Sequence, residues 1–487
     1  MTPQPRIPHT VTLRTLAILV FVSSLLFAGS VGGLDAPEAG AAPAAAHALA
    51  APAGSIAGVK LSRLVNVRAR GAIGNGSADD TAAFKSALTR AARKGTGIYV
   101  PAGVYRISRL NLPDGVVVAG AGRGKAWIKG GLSFGSHTTV ADLKIGDRGV
   151  SVRNRRNARY TTFTRCRLRG GGGAGMDAPV LMLGSASGNN SLHHVTFRSC
   201  QIERNLGVED WSRNTYGRGF NNITVNENAA AGGSHVRYLT FVKCRVGVSN
   251  GSGGHDTGSP RAGIEVWSTK PRVIAQGWHH LVIRGCTFEA TDRFCIDLAD
   301  YPTASGEHLA GPALIENNLI KGAGWGPGDH PWSYSICLEA PDDVTIRGNT
   351  IYAAHLTTIA GSNSRNARTL VENNVIDLSV PNGVTQTGDE AVVLKGRGSI
   401  FRKNVVRAGA HSGPLLYLAR SEGARVIGNR FRDGRTGNNP AMVVLLDASR
   451  NVIAENRFST AAASVPRILM QGSSDDNTLR DNVYLHQ

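Results

Sequence analysis

Acidic residues recur in three successive β-type segments, where they could bind a cation or transfer protons. The segments read GIEVW around Glu265, CIDLAD around Asp297 and Asp300, and CLEAPD around Glu339. If the strands are in register, Glu265, Asp297 and Glu339 project from neighbouring backbones about 4.7–4.9 Å apart. Carboxylates this close repel one another unless a cation or a substrate intervenes. We therefore predict that these acids are catalytic, and that Glu265, Asp297 and Glu339 can also hold Ca²⁺, which prefers oxygen ligands.

Two alternative chemistries fit this acidic cluster, and only the first of them uses basic residues. Lys395 in AVVLKGRG and Arg420 in LLYLAR come at equivalent turns of consecutive repeats, and Arg261 precedes the first acidic segment. In the first interpretation, Ca²⁺ held by the acids neutralises the uronate, and one of these basic residues removes its C5 proton for β-elimination. In the second, two carboxylates act directly, one protonating the glycosidic oxygen and the other activating water or attacking the anomeric carbon, as in a glycoside hydrolase.

Tryptophan is concentrated in the Gly-rich segments around the same acids. A tryptophan on a surface loop commonly packs against the apolar face of a sugar ring. We predict a substrate-binding rim made of these tryptophans and two loop histidines: Trp211, Trp267, Trp278, Trp325, Trp332, His255 and His330.

The element that must position these residues is a repeat marked by a Cys or Asn between two β-type runs. It recurs at intervals of 25 to 44 residues, and the longest intervals lie between Cys166 and Asn349. Such periods indicate a solenoid whose coils bury their apolar faces by stacking. Because the repeats are rich in strands and lack a helical period, they predict an all-β parallel β-helix. The marker positions are Cys166, Cys200, Cys244, Cys286, Asn318, Asn349, Asn374, Asn404, Asn429, Asn456 and Asn482.

The cysteines favour buried thiols over a disulfide framework. Four of the six stand on the marker positions, where a small apolar side chain packs well. Cys295 and Cys337 are predicted to occupy equivalent positions in successive coils. They could form one disulfide or simply stack.

The N-terminus predicts secretion, and the charge predicts an anionic partner. Arg6 and Arg14 precede an apolar run over 16–28 and Ala/Pro-rich sequence, so residues 1–50 are interpreted as a signal peptide and linker. We expect 60–487 to be one β-helix domain with no membrane attachment after cleavage. The net charge of +19 favours an acidic polysaccharide, and no motif points to nucleic acid. Both a monomer and a trimer fit this pattern.

Residues 64–107 predict a cap for the open end of the solenoid. Ser77 is a plausible helix N-cap, with Asp79 and Asp80 in the first turn. A helical apolar face follows at Phe84, Ala87, Leu88 and Ala91. A helix here would cover strand edges that otherwise stay unpaired.

The same stretch, with its GAIGNGSADDTAAF and YVPAGVY motifs, resembles the start of the pectate-lyase-like right-handed β-helix superfamily. The resemblance implies a right-handed parallel β-helix with a capping α-helix, and a secreted carbohydrate-active enzyme. Asp79, Asp80 and Thr81 are interpreted as structural. The Lys395–Arg420 couple beside acids is similar to that of calcium-dependent lyases of this class.

The sequence lacks the signatures that would specify one reaction. Neither the NTD…DD…GHG pattern of polygalacturonases nor the DPHE of alginate epimerases occurs. The leading prediction is therefore a polysaccharide lyase acting on a uronate-containing polysaccharide. A glycoside hydrolase is the second candidate, a noncatalytic glycan-binding β-helix is the third, and an epimerase lacks its motif.

Overall fold

The computed structural model describes most of the solenoid and leaves out parts of its connections. The described residues are 54–56, 58–147, 149–170, 179–184, 191–204, 221–225, 235–248, 262–267, 278–289, 294–299, 310–321, 334–339, 341–352, 359–360, 368–378, 391–408, 413–435, 441–461 and 467–486. Residues 51–487 group as one compact unit.

Within these ranges the chain winds through three long parallel sheets and adds one strand to each sheet per coil, which makes a parallel β-helix. Sheet A contains Leu110–Asn111, Leu132–Phe134, Val152–Asn154, Leu181–Leu183, Ile223–Val225, Ala262–Trp267, Phe294–Ala299, Tyr334–Glu339, Ile359–Ala360, Val393–Arg397, Leu416–Glu422, Val443–Leu446 and Ile468–Gln471.

Sheet B contains Val65–Asn66, Gly97–Val100, Val117–Gly120, Thr139–Ala141, Ala158–Thr164, Leu192–Arg198, Val236–Val242, Trp278–His279, Leu281–Arg284, Ala313–Glu316, Val344–Arg347, Thr369–Glu372, Ile400–Arg402, Arg425–Ile427, Val452–Ala454 and Thr478–Arg480. Sheet C contains Asn75–Asp79, Gly103–Arg106, Ala126–Lys129, Lys144–Ile145, Arg167–Gly170, Gln201–Arg204, Arg245–Val248, Thr287–Glu289, Leu319–Lys321, Thr350–Tyr352, Val375–Asp377, Val405–Arg407, Arg430–Asp433, Arg457–Thr460 and Val483–His486.

The core fills the space that the three sheets enclose. Equivalent apolar side chains of successive coils stack on one another, because parallel in-register strands place identical positions one spacing apart. The rings of Phe163, Phe197 and Phe241 stack at centroid distances of 5.0 and 5.2 Å. Phe431 and Phe458 repeat the arrangement at 5.1 Å near the C-terminal end. This continuous core holds the outer faces of the sheets in fixed positions.

The asparagines at the marker positions form a ladder at the turn between sheets B and C. Each buried side chain bonds to the next coil: Asn349 Nδ2 donates to Asn374 Oδ1 at 2.9 Å, and Asn374 Nδ2 donates to Asn404 Oδ1 at 3.0 Å. The same amides also donate to a carbonyl of the preceding coil, as Asn374 does to Ile346 at 2.9 Å. The ladder continues to Asn482. It satisfies buried backbone groups that a bare turn would leave unpaired.

The cysteines confirm the buried-thiol interpretation and correct the pairing of Cys295 with Cys337. All six are buried and free of disulfides. Phe294 and Ile296 pair with Tyr334 and Ile336, so Cys295 lies opposite Ser335, and Cys337 opposite Asp297. Cys295 contacts the main core, whereas Cys337 packs with Ala262 and Phe294 in a separate cluster. The predicted equivalence is therefore wrong by two residues.

The cap is present, although its helix begins later than the sequence suggested. The helix spans Thr81–Arg93, and residues Asn75–Asp79 form a strand of sheet C. Asp80 is the N-cap residue, and its carboxylate accepts the backbone N–H groups of Ile73 and Gly74 at 2.6 and 3.2 Å. Asp79 accepts the N–H of Thr81 at 2.9 Å, so the structural role predicted for these acids is confirmed. The predicted apolar face is buried: Phe84, Ala87, Leu88 and Ala91.

No helix among the described residues combines the length and apolarity that crossing a membrane requires.

Candidate functional site

The candidate site lies on the outer face of sheet A, where the register confirms one predicted acid pair and corrects the other. Glu265 stands directly opposite Asp297. Asp297, however, stands opposite Cys337, and Glu339 lies opposite Ala299. In this register the inward residues Ile336 and Leu338 align with Ile296 and Leu298. Glu339 is therefore displaced by two positions along the strand.

The displacement leaves Glu339 close to Asp297, because residues two apart on a strand project from the same face. One ligand atom each of Asp297, Cys337 and Glu339 lies within 4.8 Å of the other two. Cys337 Sγ is 4.0 Å from Glu339 Oε1. The structure thus assembles two carboxylates and a thiol, and we name these three residues the acid–thiol group. Glu265 adjoins the group at Asp297 and does not belong to it.

The acids differ sharply in accessibility. Asp297 is 1% exposed and Glu265 is 4% exposed, whereas Glu339 is partly exposed. The amide of buried Asn221 donates to a carboxylate oxygen of Glu265 and to Thr224 Oγ1, the latter at 3.0 Å. A polymer on the outside can reach Glu339, while Glu265 and Asp297 form the buried layer beside it.

Lys395 and Arg420 lie along the axis from the acid–thiol group. Cys337 pairs with Ala360, and Ala360 pairs with Val393. Lys395 follows Val393 by two residues, just as Glu339 follows Cys337. The backbones of Glu339 and Lys395 are therefore two strand spacings, about 9.5 Å, apart. Arg420 is exposed, in the irregular stretch opposite Lys395, where the register shifts between Leu394 and Gly396.

The chemical types of the ligand atoms in the acid–thiol group can be compared with those that Ca²⁺ prefers. Two carboxylates suit a hard cation, but the thiol between them does not, because Ca²⁺ takes oxygen ligands whereas thiolates favour Zn²⁺ and softer ions. The predicted trio of Glu265, Asp297 and Glu339 is also not the set that the structure brings together. The acid–thiol group therefore does not fit Ca²⁺, and the reaction proposed for this site uses no metal.

Trp278 corrects the predicted aromatic rim. It is 1% exposed, and its Nε1 donates to the carbonyl of Ala299 at 3.1 Å, so Trp278 is a core residue and not a surface platform. His279 and His280, which follow it, lie along sheet B and not at the site. Trp267 contributes backbone to sheet A, and its side chain lies outside the described part. Also outside the described residues are Trp211, Trp325, Trp332, His255, His330, Arg261 and Asp300.

Sequence reasoning missed two members of the site, Cys337 and Asn221. The sequence did not single out Cys337, because its apolar alternation fits the observed alignment of Ile336 and Leu338 with Ile296 and Leu298 and equally one shifted by two residues. No sequence feature near Asn221 predicts its contact with Glu265, because the two residues are 44 positions apart in the chain.

Comparison with known proteins gives the family of this scaffold. The profile of the family described as "Rhamnogalacturonase A/epimerase, pectate lyase-like" matches residues 64–266. This match covers less than half of the chain and supports the resemblance to the pectate-lyase-like β-helix superfamily that the sequence suggested. The fold of the superfamily is the right-handed parallel β-helix, as predicted.

Two individual relatives illustrate the likeness and its limits. Mannuronan C5-epimerase AlgE4 of Azotobacter vinelandii is 44% identical over 98 residues, which is 18% of this chain and 17% of the relative. The tailspike protein of E. coli bacteriophage HK620, solved with a pentasaccharide, superposes with a TM-score of 0.52 and 12% identity. That superposition covers 84% of this chain and 78% of the tailspike chain, and it supports the fold alone.

Proposed function

We propose that this protein is a secreted enzyme that acts on a uronate-containing polysaccharide by removing the C5 proton, with β-elimination as the leading outcome. The observation that carries the proposal is the arrangement of Glu339 and Lys395 in one outward column of sheet A, with Arg420 beside Lys395. A proton acceptor and two cations thus face the same side of the solenoid within three strand spacings, or about 14 Å. The +19 charge of the chain suits a polyanionic substrate.

The solvent exposure of each acid decides the role that we propose for it. Glu339, as the partly exposed acid of the acid–thiol group, takes the C5 proton. Lys395 and Arg420 pair with the uronate carboxylate, whose negative charge grows as the proton leaves, so they stabilise the transition state. Asp297 and Glu265 are buried, and we assign them to positioning Glu339 and the local backbone. This assignment exchanges the base and cation roles that the sequence suggested.

The reaction balances without an oxidant or a metal. As the C5–H bond breaks, its electron pair forms the C4=C5 double bond, and the C4–O bond to the neighbouring sugar breaks. The leaving oxygen takes a proton from water and becomes a new chain end, the other fragment carries an unsaturated uronate, and Glu339 then returns its proton to the solvent.

C5 epimerisation is a second candidate, because it shares the first step and the curated relatives are named mannuronan C5-epimerases. In that reaction the proton returns to C5 from the opposite face and no bond to oxygen breaks. Direct hydrolysis by Asp297 and Glu339 is the third candidate, since paired carboxylates are its requirement.

One assay separates these reactions. Polyuronates and neutral glycans are incubated with the enzyme in deuterated water, and unsaturated-uronate absorbance, reducing ends and deuterium at C5 are followed. New absorbance indicates elimination, deuterium without cleavage indicates epimerisation, and reducing ends without absorbance indicate hydrolysis. No change in any glycan would overturn the enzymatic proposal in favour of a binding β-helix. A parallel reaction with a chelator tests the predicted Ca²⁺.

Glu339→Gln is the decisive variant. We expect the rate to fall roughly a hundredfold or more, because the amide cannot accept the proton. Glu455→Gln, at an exposed turn in a C-terminal coil, is the matched control and should leave the rate unchanged. Wild-type rates in Glu339→Gln would rule out this residue as the base.

A further inference from the structure

A row of five exposed aromatic side chains runs beside sheet B, away from the candidate site on sheet A. Neighbouring ring centroids lie 5.2, 4.8, 4.4 and 4.5 Å apart, and neighbouring planes are within 27° of parallel. Tyr160 is 53% exposed and Tyr238 is 42% exposed. Five coils of this kind extend about 19 Å along the axis. We call the row the aromatic ridge; its members are His137, Tyr160, His194, Tyr238 and His280.

A basic column flanks the aromatic ridge. Its members pair in register across four successive coils and are Arg159, His193, Arg237 and His279. The sequence therefore alternates Arg-Tyr with His-His, in ARY, LHH, VRY and WHH. The guanidinium side chains of Arg159 and Arg237 are exposed, and no described carboxylate forms an ion pair with either.

The backbone suits the histidines of the ridge better than its tyrosines. All five ridge residues have φ between 52° and 56°, a left-handed conformation in which Gly, Asn, Asp and His are enriched. Gly285, Asn317 and Asn373 provide it at other turns. Tyr160 and Tyr238 are bulky residues that this conformation disfavours, so the backbone alone does not account for their rings.

We propose that the aromatic ridge and its basic column bind an acidic polysaccharide lengthwise along the solenoid. Arg159 and Arg237 lie two strand spacings, about 9.5 Å, apart, which matches the repeat of a disaccharide unit in an extended 1,4-linked chain. The stacked rings present their edges to solvent, so tyrosine hydroxyls and imidazole nitrogens can bond sugar hydroxyls. The inference shares the substrate class of the proposed function, but it uses a different sheet and requires no catalysis.

The histidines make this binding sensitive to pH. Partial burial lowers the pKa of His193, and Arg237, His194 and Arg159 lower it further. Burial likewise lowers the pKa of His235, and the charges of Arg237, His279 and His193 lower it further. These imidazoles are therefore neutral at pH 7. A bound polyanion favours their protonated forms, so binding takes up protons and the affinity rises as the pH falls.

The test measures binding of the full chain carrying Glu339→Gln, so that turnover plays no part. Affinity electrophoresis through gels containing a linear polyuronate gives the dissociation constant at pH 7.5 and pH 5.5, with dextran as the neutral polymer. Arg159→Ser with Arg237→Ser should weaken polyuronate binding roughly tenfold, with the larger loss at low salt. Tyr160→Asn with Tyr238→Asn, which keeps residues that tolerate positive φ, should also weaken it.

Arg430→Ser with Arg457→Ser is the control, because it removes the same charge from exposed positions on sheet C. If the Arg159/Arg237 and Arg430/Arg457 double variants weaken binding equally, net charge explains the affinity and the proposed surface is wrong. If the ridge variants change only thermal stability, the stack is structural and the proposal fails. Tighter binding to a single-stranded oligonucleotide than to polyuronate would also overturn it. Unchanged polyuronate affinity in the ridge variants would contradict the ridge, and it would leave the proposed reaction standing, because that reaction is assayed separately in the chain with Glu339 intact.

Discussion

Individual side chains on this solenoid take their properties from the coil above and the coil below. Lys144 on sheet C shows this, because its ammonium lies 3.3 Å from the centroid of the Trp127 ring one coil earlier. Burial lowers the pKa of Lys144 to about 8, and the charges of Arg169 and Arg167 from the following coil add to the effect. A surface lysine thereby becomes a nucleophilic amine near neutral pH.

We expect Lys144 to react with an acylating reagent faster than exposed Lys85, with half of its amine neutral near pH 8. The lowered pKa means that the unfolded chain binds more protons between about pH 8 and 10.5, so the contribution of Lys144 to stability rises with pH across that window. Labelling rates measured by mass spectrometry from pH 7 to 10 check this. A labelling midpoint near 10.5 would contradict it.

At the scale of a structural element, the asparagine ladder acts as a cross-link between coils. Asn374 Oδ1 accepts the backbone N–H and the Nδ2 of Asn349, both at 2.9 Å, and its own Nδ2 donates to Ile346 and Asn404. Removing one such side chain leaves several buried groups unpaired. Asn482, the last rung of the ladder among the described residues, is only half-buried.

Asn374→Ala should therefore lower the free energy of unfolding by about 2–4 kcal/mol, because each buried group left unsatisfied costs about 1–3 kcal/mol. Asn482→Ala is the matched control and should cost clearly less, since water can replace the lost partners. Denaturant unfolding of both variants measures the difference. Equal losses would show that position in the ladder does not matter.

The whole molecule behaves as a one-dimensional stack, in which each coil is stabilised by its neighbours. The helix Thr81–Arg93 closes the N-terminal end, and Phe84 anchors it with a ring centroid 5.4 Å from that of Tyr105. Removing the Phe84 ring should therefore destabilise first the coils next to the helix.

Phe84→Ala should lower stability by about 3–5 kcal/mol through the cavity it leaves. Hydrogen exchange should rise in the first coils, while Asn404 to Asn456 stay protected, because distant coils keep their own neighbours. Lys85→Ala, exposed on the same helix, is the control. A uniform rise in exchange along the chain would show instead that the solenoid unfolds as one cooperative unit.

The sequence alone determined the repeat, the parallel β-helix, the buried Cys and Asn markers and the capping helix, because each follows from spacing and apolar pattern. Glu265 and Asp297 were also predicted as a pair, and the structure places them opposite one another. These features depend on local chemistry repeated from coil to coil.

Only the tertiary structure decided which side chains meet on sheet A. The stacked coils align Ile336 and Leu338 with Ile296 and Leu298, and this register brings Cys337 to Asp297 and moves Glu339 by two residues. The same packing encloses Trp278 in the core and lines up the aromatic ridge. A shift of two residues preserves the inside–outside pattern of a strand, so the sequence pattern cannot detect it, whereas the packing of stacked coils selects a single alignment.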